Sequence, residues 1–338
     1  MTDKVATSLF DPDREPKDFE ALTNPYRREL TVHCYRILGS FEDAEDALQE
    51  ALVRAWRQFD SLKSLAALRA WLYKIATNVA LNMLVARRAR SMPPARQAAS
   101  DPHAPLPAPG PDALWLDPLP DEYLEGFSPG PEAVLEAKES VSFAFQIVLQ
   151  MLPGRQRAVL ILRDVLGWSA QEVAELLDAS VPAVNSALQR ARATLRKQHG
   201  QTSYAAADTG EQNATLLAEF VQAWEMADAA RLTALLREDA IFTMPPLPTW
   251  YQGRAAIKAF LNEQLFSAGR AGHQFRVIAT RANGCPAFAS YRLDEAGVYR
   301  PGALIVLTLV GARIAQIDNF LALNDGLFSR FNLPLLLG

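Results

Sequence analysis

The stretch WSAQEVAELLDASVPAVNSALQRARATLRK, residues 168–197, decides how this chain is read. Its second half predicts a helix from about Val181. Ser180 supplies a cap, and Pro182 stands in the first turn, where a missing N–H costs nothing. At 100° per residue Val184, Ala187, Leu188, Ala191 and Leu195 share one face. Ser186, Gln189, Arg190 and Lys197 lie opposite, flanked by Asn185, Arg192 and Arg196, and the helix carries no Asp or Glu. Solvated helices ordinarily mix both charge signs, so amides, a hydroxyl and cations alone ask for an anionic partner. Asn and Gln suit base edges; Arg and Lys suit phosphates. The first half opens on a Ser-x-x-Glu capping box, Ser169 to Glu172, with Val173, Ala174, Leu176 and Leu177 as its apolar side. Only Asp178-Ala179-Ser180 separates the two helices. The pair reads as a helix-turn-helix whose second member is the reader, with a plain helical hairpin as the alternative for this window.

The rest of the 338 residues sets the context: 49% hydrophobic and 21% charged, enough for two or three domains with real cores. The net charge of −4 conceals its distribution. Residues 18–90 hold eleven bases against nine acids and residues 141–200 seven against four, whereas residues 91–140 hold nine acids and two bases. Cys34 and Cys285 stand far apart, so neither a disulfide framework nor a metal site is expected, and a reducing cytoplasm is the simplest home. The N-terminus is polar and acidic where a signal peptide would be basic then apolar, and no apolar run reaches the ~20 residues that span a bilayer.

Residues 19–91 read as an all-helical domain after an 18-residue tail. Within it Ser40 caps a helix with acids in its first turn, a stripe of Ala44, Ala47, Leu48, Ala51 and Ala55, and Arg54 and Arg57 toward its end. A further helix starts at Leu68 and ends in Arg87, Arg88 and Arg90. Residues 92–136 form an acidic linker with eleven of the 22 prolines, interrupted by the apolar island Leu114 to Pro120. Helical pattern resumes over 137–200. After a joint at 201–210, residues 211–338 read as two helices, a strand over Ala240–Met244, a helix over Arg254–Phe266, and three or four further strands: an α+β domain with a curved antiparallel sheet.

Three stretches resemble bacterial RNA polymerase sigma factors of the extracytoplasmic-function (ECF) group: Asp43 to Trp56, Arg69 to Asn78, and Leu152-Pro153 with the helix-turn-helix through Arg192. The likeness covers roughly residues 19–90 and 137–199. It implies that Asp46, Gln49 and Glu50 touch core RNA polymerase, with a solvated helix N-terminus as the reading for Asp43 and Glu45. It implies that Trp71, Tyr73, Lys74 and Asn78 meet the opened minus-10 element, with Arg87, Arg88 and Arg90 on phosphates or simply a solvated basic helix end, although Trp71 also reads as a core residue. Asn185, Ser186, Gln189 and Arg190 would then read the minus-35 element, with Arg192 and Arg196 on its backbone. The chain departs from the family at Asn185 and Ala187, where a basic residue is usual.

Residues 239–257 and 314–317 resemble a SnoaL-like domain, the cone-shaped α+β fold shared with polyketide cyclases and ketosteroid isomerases. A subgroup of ECF factors carries it together with a linker motif matched here by Trp115, Leu116, Pro118, Pro120 and Asp121. Met244 stands where isomerases of that superfamily place their acidic base, and a thioether cannot abstract a proton. Trp224, Phe242, Trp250, Tyr251 and Phe260 are the candidate pocket, or simply core. The expected protein is therefore multidomain and not an enzyme: two all-α sigma domains and a modulating cone-shaped domain, without cofactor or metal. Its expected partners are core RNA polymerase and promoter DNA, with an anti-sigma factor or small ligand left open. The rival readings are a ligand-sensing helix-turn-helix regulator without sigma activity, which leaves residues 19–90 unexplained, and an enzyme with a DNA-binding front end.

Overall fold

The computed structural model describes residues 16–62, 64–86, 90, 92–95, 97–109, 115–124, 142–199, 211–267 and 274–338. They belong to two compact units, Met1–Arg90 with Leu116–Thr202, and Ser91–Trp115 with Ser203–Gly338.

The first unit is helical. After α1 (Pro16–Thr23) come α2 (Arg27–Leu38), α3 (Phe41–Arg57) and α4 (Leu68–Ala86). Every residue from Leu30 to Leu38 is buried, because α2 is packed on several sides. His33 and Thr77 meet at 2.8 Å and pin α2 to α4, and burial, with Arg36 close by, pulls the imidazole down to about 3. Ser40 caps α3 by accepting from the Asp43 amide, and the alanine-rich stripe is buried as its period requires. Between α2 and α3 Gly39 has φ +72°, and a Cβ there would stand 2.7 Å from Leu116 and 2.9 Å from Gln150. Only glycine fits both the left-handed turn and this crowding. Asp117 closes over the same turn: its carbonyl accepts from the Tyr35 hydroxyl at 2.8 Å and its carboxylate from the Ser40 hydroxyl at 2.6 Å.

The later helices of this unit are α5 (Phe143–Met151), α6 (Gly154–Leu160) with a π-helical turn over Ile161–Val165, α7 (Ala170–Leu176) and α8 (Val181–His199). They share one hydrophobic core with α2, α3 and α4. Gly154 lies against Leu81 and Leu84, where an added Cβ would come within 3.2 Å of each. Arg157 is 2% exposed and reaches from α6 to the C-terminal end of α2, donating to the Ile37 carbonyl, to Gln150 Oε1 at 2.7 Å, and to the carbonyls of Gln150 and Leu152 at 3.0 and 3.1 Å. The last carbonyls of a helix lack intrahelical partners and carry partial negative charge, which is what this guanidinium satisfies.

The second unit contains α9 (Glu211–Glu225), α10 (Ala229–Ala234), β1 (Leu236–Thr243), β2 (Trp250–Gln252), α11 (Arg254–Phe260) with a π-helical turn over Leu261–Leu265, β3 (Phe275–Ala282), β4 (Cys285–Leu293), β5 (Tyr299–Val310), β6 (Arg313–Leu321) and α12 (Gly326–Arg330). The sheet runs β2-β1-β6-β5-β4-β3, parallel only between β1 and β6. Sequence reading expects the two opening helices and the later strands but misses β2. The expected helix to Phe266 keeps its α form only to Phe260. Register places Phe242, Tyr251, Phe288, Ile305, Leu307 and Ile317 on the side that forms the core with the helices, and Asn319 beside them. Thr243, Trp250, Val306 and Asp318 take the opposite side.

Linker residues lie along this sheet. The Ser100 amide donates to the Trp250 carbonyl at 2.8 Å, and the Trp250 indole donates to the Gln97 carbonyl at 3.0 Å. Gln264 Nε2 donates to the carbonyls of Pro102 and Ala104, and His103 Nδ1 meets Glu263 Oε2 at 2.8 Å. Trp115 donates from its indole to the Pro246 carbonyl at 2.7 Å.

Candidate nucleic-acid interface

The reading helix forms as its caps dictate. Ser169 and Glu172 make the reciprocal capping box, and the Ala183 amide donates to Ser180 Oγ. Between the helices Asp178 has φ +49°, a left-handed conformation that Asp and Asn tolerate better than most residues. Val184, Ala187, Leu188 and Ala191 are buried, which turns Asn185, Ser186, Gln189, Arg190 and Arg196 outward into solvent. Asn185 to Arg190 span about 8 Å along the axis, a length suited to a few consecutive base pairs of a major groove. Arg192 is also exposed, but Asp164 holds it with two bonds of 2.9 and 2.7 Å. Those bonds raise the Arg192 pKa further, so the cation is fixed and its fork is occupied.

On α3, Asp46, Gln49 and Glu50 are exposed along one face, beside the half-exposed apolar side chains of Val53 and Trp56. Glu50 pairs with Arg54 one turn later at 2.6 Å. Asp43, read as a solvated acid of the first turn, is instead buried and paired with Arg90 at 2.7 Å.

The α4 candidates divide. Trp71 is half-buried and stands edge-on to Phe59, 6.1 Å between centroids. Tyr73 is 1% exposed, its hydroxyl donates to Glu29, and its ring lies between His33 and Trp168 at 4.9 and 5.2 Å. It offers no face to a base in this arrangement. Lys74 extends to the turn of the helix-turn-helix, where its ammonium donates to the Glu175 carbonyl at 3.3 Å and to Asp178 Oδ1 at 2.6 Å. Asn78 is half-buried. Arg87 and Arg88 lie outside the described residues. Sequence reasoning missed Trp168, Asp178 and Asp164 as partners of the candidate DNA-facing groups. Their only sequence signal is their closeness to the reading helix.

In the second unit the candidate pocket residues do not converge. Phe242, Tyr251 and Phe260 cluster on the helix-facing side, Tyr251 stacked on Phe260 at 4.4 Å, while Trp224 joins a separate group with Phe220, Phe266 and Phe275. Trp250 points to the other side, because it neighbours Tyr251 on a strand of period two. Met244 is buried. Asn319 on β6, paired with Ile305 of β5, is 1% exposed, and its Oδ1 meets no hydrogen-bond partner among the described residues. Among the described residues no group of three His, Cys, Asp or Glu is placed to hold a metal ion, and no helix is long and apolar enough to cross a membrane.

Known families match the same segments: Sigma-70 region 2 over residues 22–90, Sigma-70 region 4 over residues 143–195, and the SnoaL-like domain over residues 217–317. The ECF RNA polymerase sigma factor SigG of Mycobacterium tuberculosis is 41% identical over 326 residues, which are 95% of this chain and 85% of that protein. This chain belongs to the ECF RNA polymerase sigma factors. Another ECF sigma factor, SigW of Bacillus subtilis, is 29% identical over 53% of this chain and 88% of its own length. The crystal structure of the ECF sigma factor SigJ of Mycobacterium tuberculosis covers 95% of this chain and 100% of its own, with a TM-score of 0.55 and 21% identity, so this ECF sigma factor shares that fold. The helical sigma domains precede a SnoaL-like α+β domain, as the sequence pattern implies.

Proposed function

We propose that this ECF sigma factor binds core RNA polymerase through the Asp46, Gln49 and Glu50 face of α3 and reads a two-part promoter. Asn185, Ser186, Gln189 and Arg190 read the minus-35 element, and Arg192 and Arg196 hold its phosphates. Lys74 and Asn78, with Arg87 and Arg88, serve the minus-10 element. The observation that carries this is the α8 surface: a helix anchored by four buried apolar residues that presents two amides, a hydroxyl and cations and no acid. The protein acts in the cytoplasm, where core polymerase is. The SnoaL-like domain modulates this activity and is not catalytic, since Met244 supplies no base where isomerases of that superfamily have one.

Run-off transcription from a promoter library with purified core polymerase tests the reading; no start that depends on this protein would sink it. Arg190→Ala is expected to weaken binding to the selected minus-35 duplex by ~2 kcal/mol, the order of one good base contact. Competition against random duplex checks it, because a loss shared equally by both would mean that Arg190 only holds phosphate.

A further inference from the structure

The cations of the reading helix are not held alike. Among the described residues the Arg190 and Arg196 side chains meet no acceptor, whereas Arg192 is clasped by Asp164, Nε to Oδ2 at 2.9 Å and Nη2 to Oδ1 at 2.7 Å. Stability does not account for the pair. The Arg192 side chain is 52% exposed and that of Asp164 29%, and an ion pair so wet contributes little to folding. Attraction to DNA does not account for it either, since a carboxylate beside the cation subtracts from the field that draws a polyanion in. What the side-on fork supplies is direction. It takes Nε and one N–H of Nη2, and leaves three N–H groups, two on Nη1 and one on Nη2, turned away from Asp164.

Asp164 is itself firmly placed. It lies in the π-helical turn Ile161–Val165, which is closed by the Leu166 amide on the Ile161 carbonyl at 2.9 Å. To either side, Arg163 donates to the Trp168 carbonyl and the Trp168 amide donates to the Leu162 carbonyl at 2.9 Å. Leu160, Ile161 and Leu162 are buried in the same core as Val184, Leu188 and Ala191 of α8. The carboxylate therefore moves with the helix it serves. On α8, Asn185, Gln189, Arg192 and Arg196 fall within about 60° of one another, and Arg192 stands about 4.5 Å beyond Gln189 along the axis. A backbone phosphate beside the bases read by Asn185 and Gln189 would stand there.

We propose that Asp164 is a positioning residue of promoter recognition: it locks the Arg192 guanidinium so that its free edge grips one minus-35 phosphate and sets the angle of α8 in the groove. This rests on α8 being the minus-35 reader and on Arg192 meeting phosphate.

The test uses the full chain assembled with core polymerase on a promoter selected from the library, with binding read by competition. Asp164→Asn removes a negative charge and the bidentate carboxylate, yet it is expected to weaken promoter binding about fivefold. Arg192→Lys keeps the charge without the fork and should match it, and Asp164→Asn should add nothing in an Arg192→Ala background. Tighter binding by Asp164→Asn, with the slope of log K against log salt steeper by about one, would show that the carboxylate only competes with DNA and would overturn the proposal. An equal loss with and without Arg192 would overturn it too, since the effect would then come from the fold of the domain; the urea midpoint is expected to stay at the wild-type value. Phosphate interference gives a readout that folding alone does not move, using duplexes with one uncharged methylphosphonate at each minus-35 backbone position in turn. One position should cost the wild type about fivefold, and both Arg192→Ala and Asp164→Asn less than about twofold. Full sensitivity retained by Asp164→Asn at that position would overturn the positioning role. If no position depends on Arg192, the assignment of Arg192 to phosphate has failed, and the proposal with it.

Discussion

Arg157→Ala is expected to lower the stability of the helical unit by about 4 kcal/mol, seen as a urea midpoint about 2 M lower for the transition reported by Trp56, Trp71 and Trp168. The guanidinium is 2% exposed and serves four acceptors, three of them carbonyls at helix ends, Ile37 of α2 among them, and the fourth the side-chain oxygen of Gln150. Removing it deletes the packing of the long stem and leaves those acceptors buried without a donor, which costs more than the bonds themselves contribute. Burial already pulls the Arg157 pKa down to about 10, so the charge stays in place at neutral pH against a desolvation cost. Arg157→Lys should recover less than half of the loss, since one ammonium cannot reproduce a planar fork. A midpoint unchanged in Arg157→Ala would show that α6 and α2 are joined by apolar contact alone.

Asp318→Asn is expected to stabilise the SnoaL-like domain by about 3 kcal/mol at pH 7.5 and by almost nothing at pH 4. Asp318 is fully buried; Thr243 Oγ1 and Gln316 Nε2 both donate to its Oδ1, at 2.7 and 2.8 Å, and its Oδ2 meets no partner among the described residues. Burial outweighs those two bonds and pushes the carboxyl up to about 6 from the ordinary 3.8. Between these values the folded chain keeps a proton that the unfolded chain has released. The resulting advantage of the folded state is full below pH 3.8 and is lost as pH rises through 6. Thermal unfolding from pH 4 to 7.5 checks it: the wild type should lose stability across that window and the variant should not. Parallel curves would mean that the carboxylate is solvated in the folded protein.

The two sigma domains were legible because their signals are local. The capping box at Ser169, the stripe of α3 and the acid-free face of α8 each lie within a few turns, and period and cap chemistry decide them. The sheet domain was legible where strands are long and β-branched or aromatic, and β2 was not, since Trp250 to Gln252 is only three residues long and follows Pro245, Pro246 and Pro248. Trp250 was grouped with Tyr251 in one pocket, although adjacent strand residues face opposite ways. Site residues whose meaning depends on a distant partner stayed hidden. Lys74 and Asp178 are 104 positions apart, and Arg157, in the run Gly154-Arg155-Gln156-Arg157, carries no local mark of its burial. Tyr73 reads as a stacking platform until Trp168 is seen against it.

The linker along β2 has one further result. β2 is one of the two edge strands of the sheet, with β3 at the other end, and an edge strand offers its unused amides and carbonyls to any extended chain that arrives. Residues 97–104 take that position: the Ser100 amide donates to the Trp250 carbonyl, the Trp250 amide donates to the Ser100 hydroxyl, and Gln264 fixes the segment beyond. The tether between the two sigma domains thus also guards the β2 edge of the sheet against self-association, and a chain cut near residue 97 would be prone to pair with its own copies along that edge.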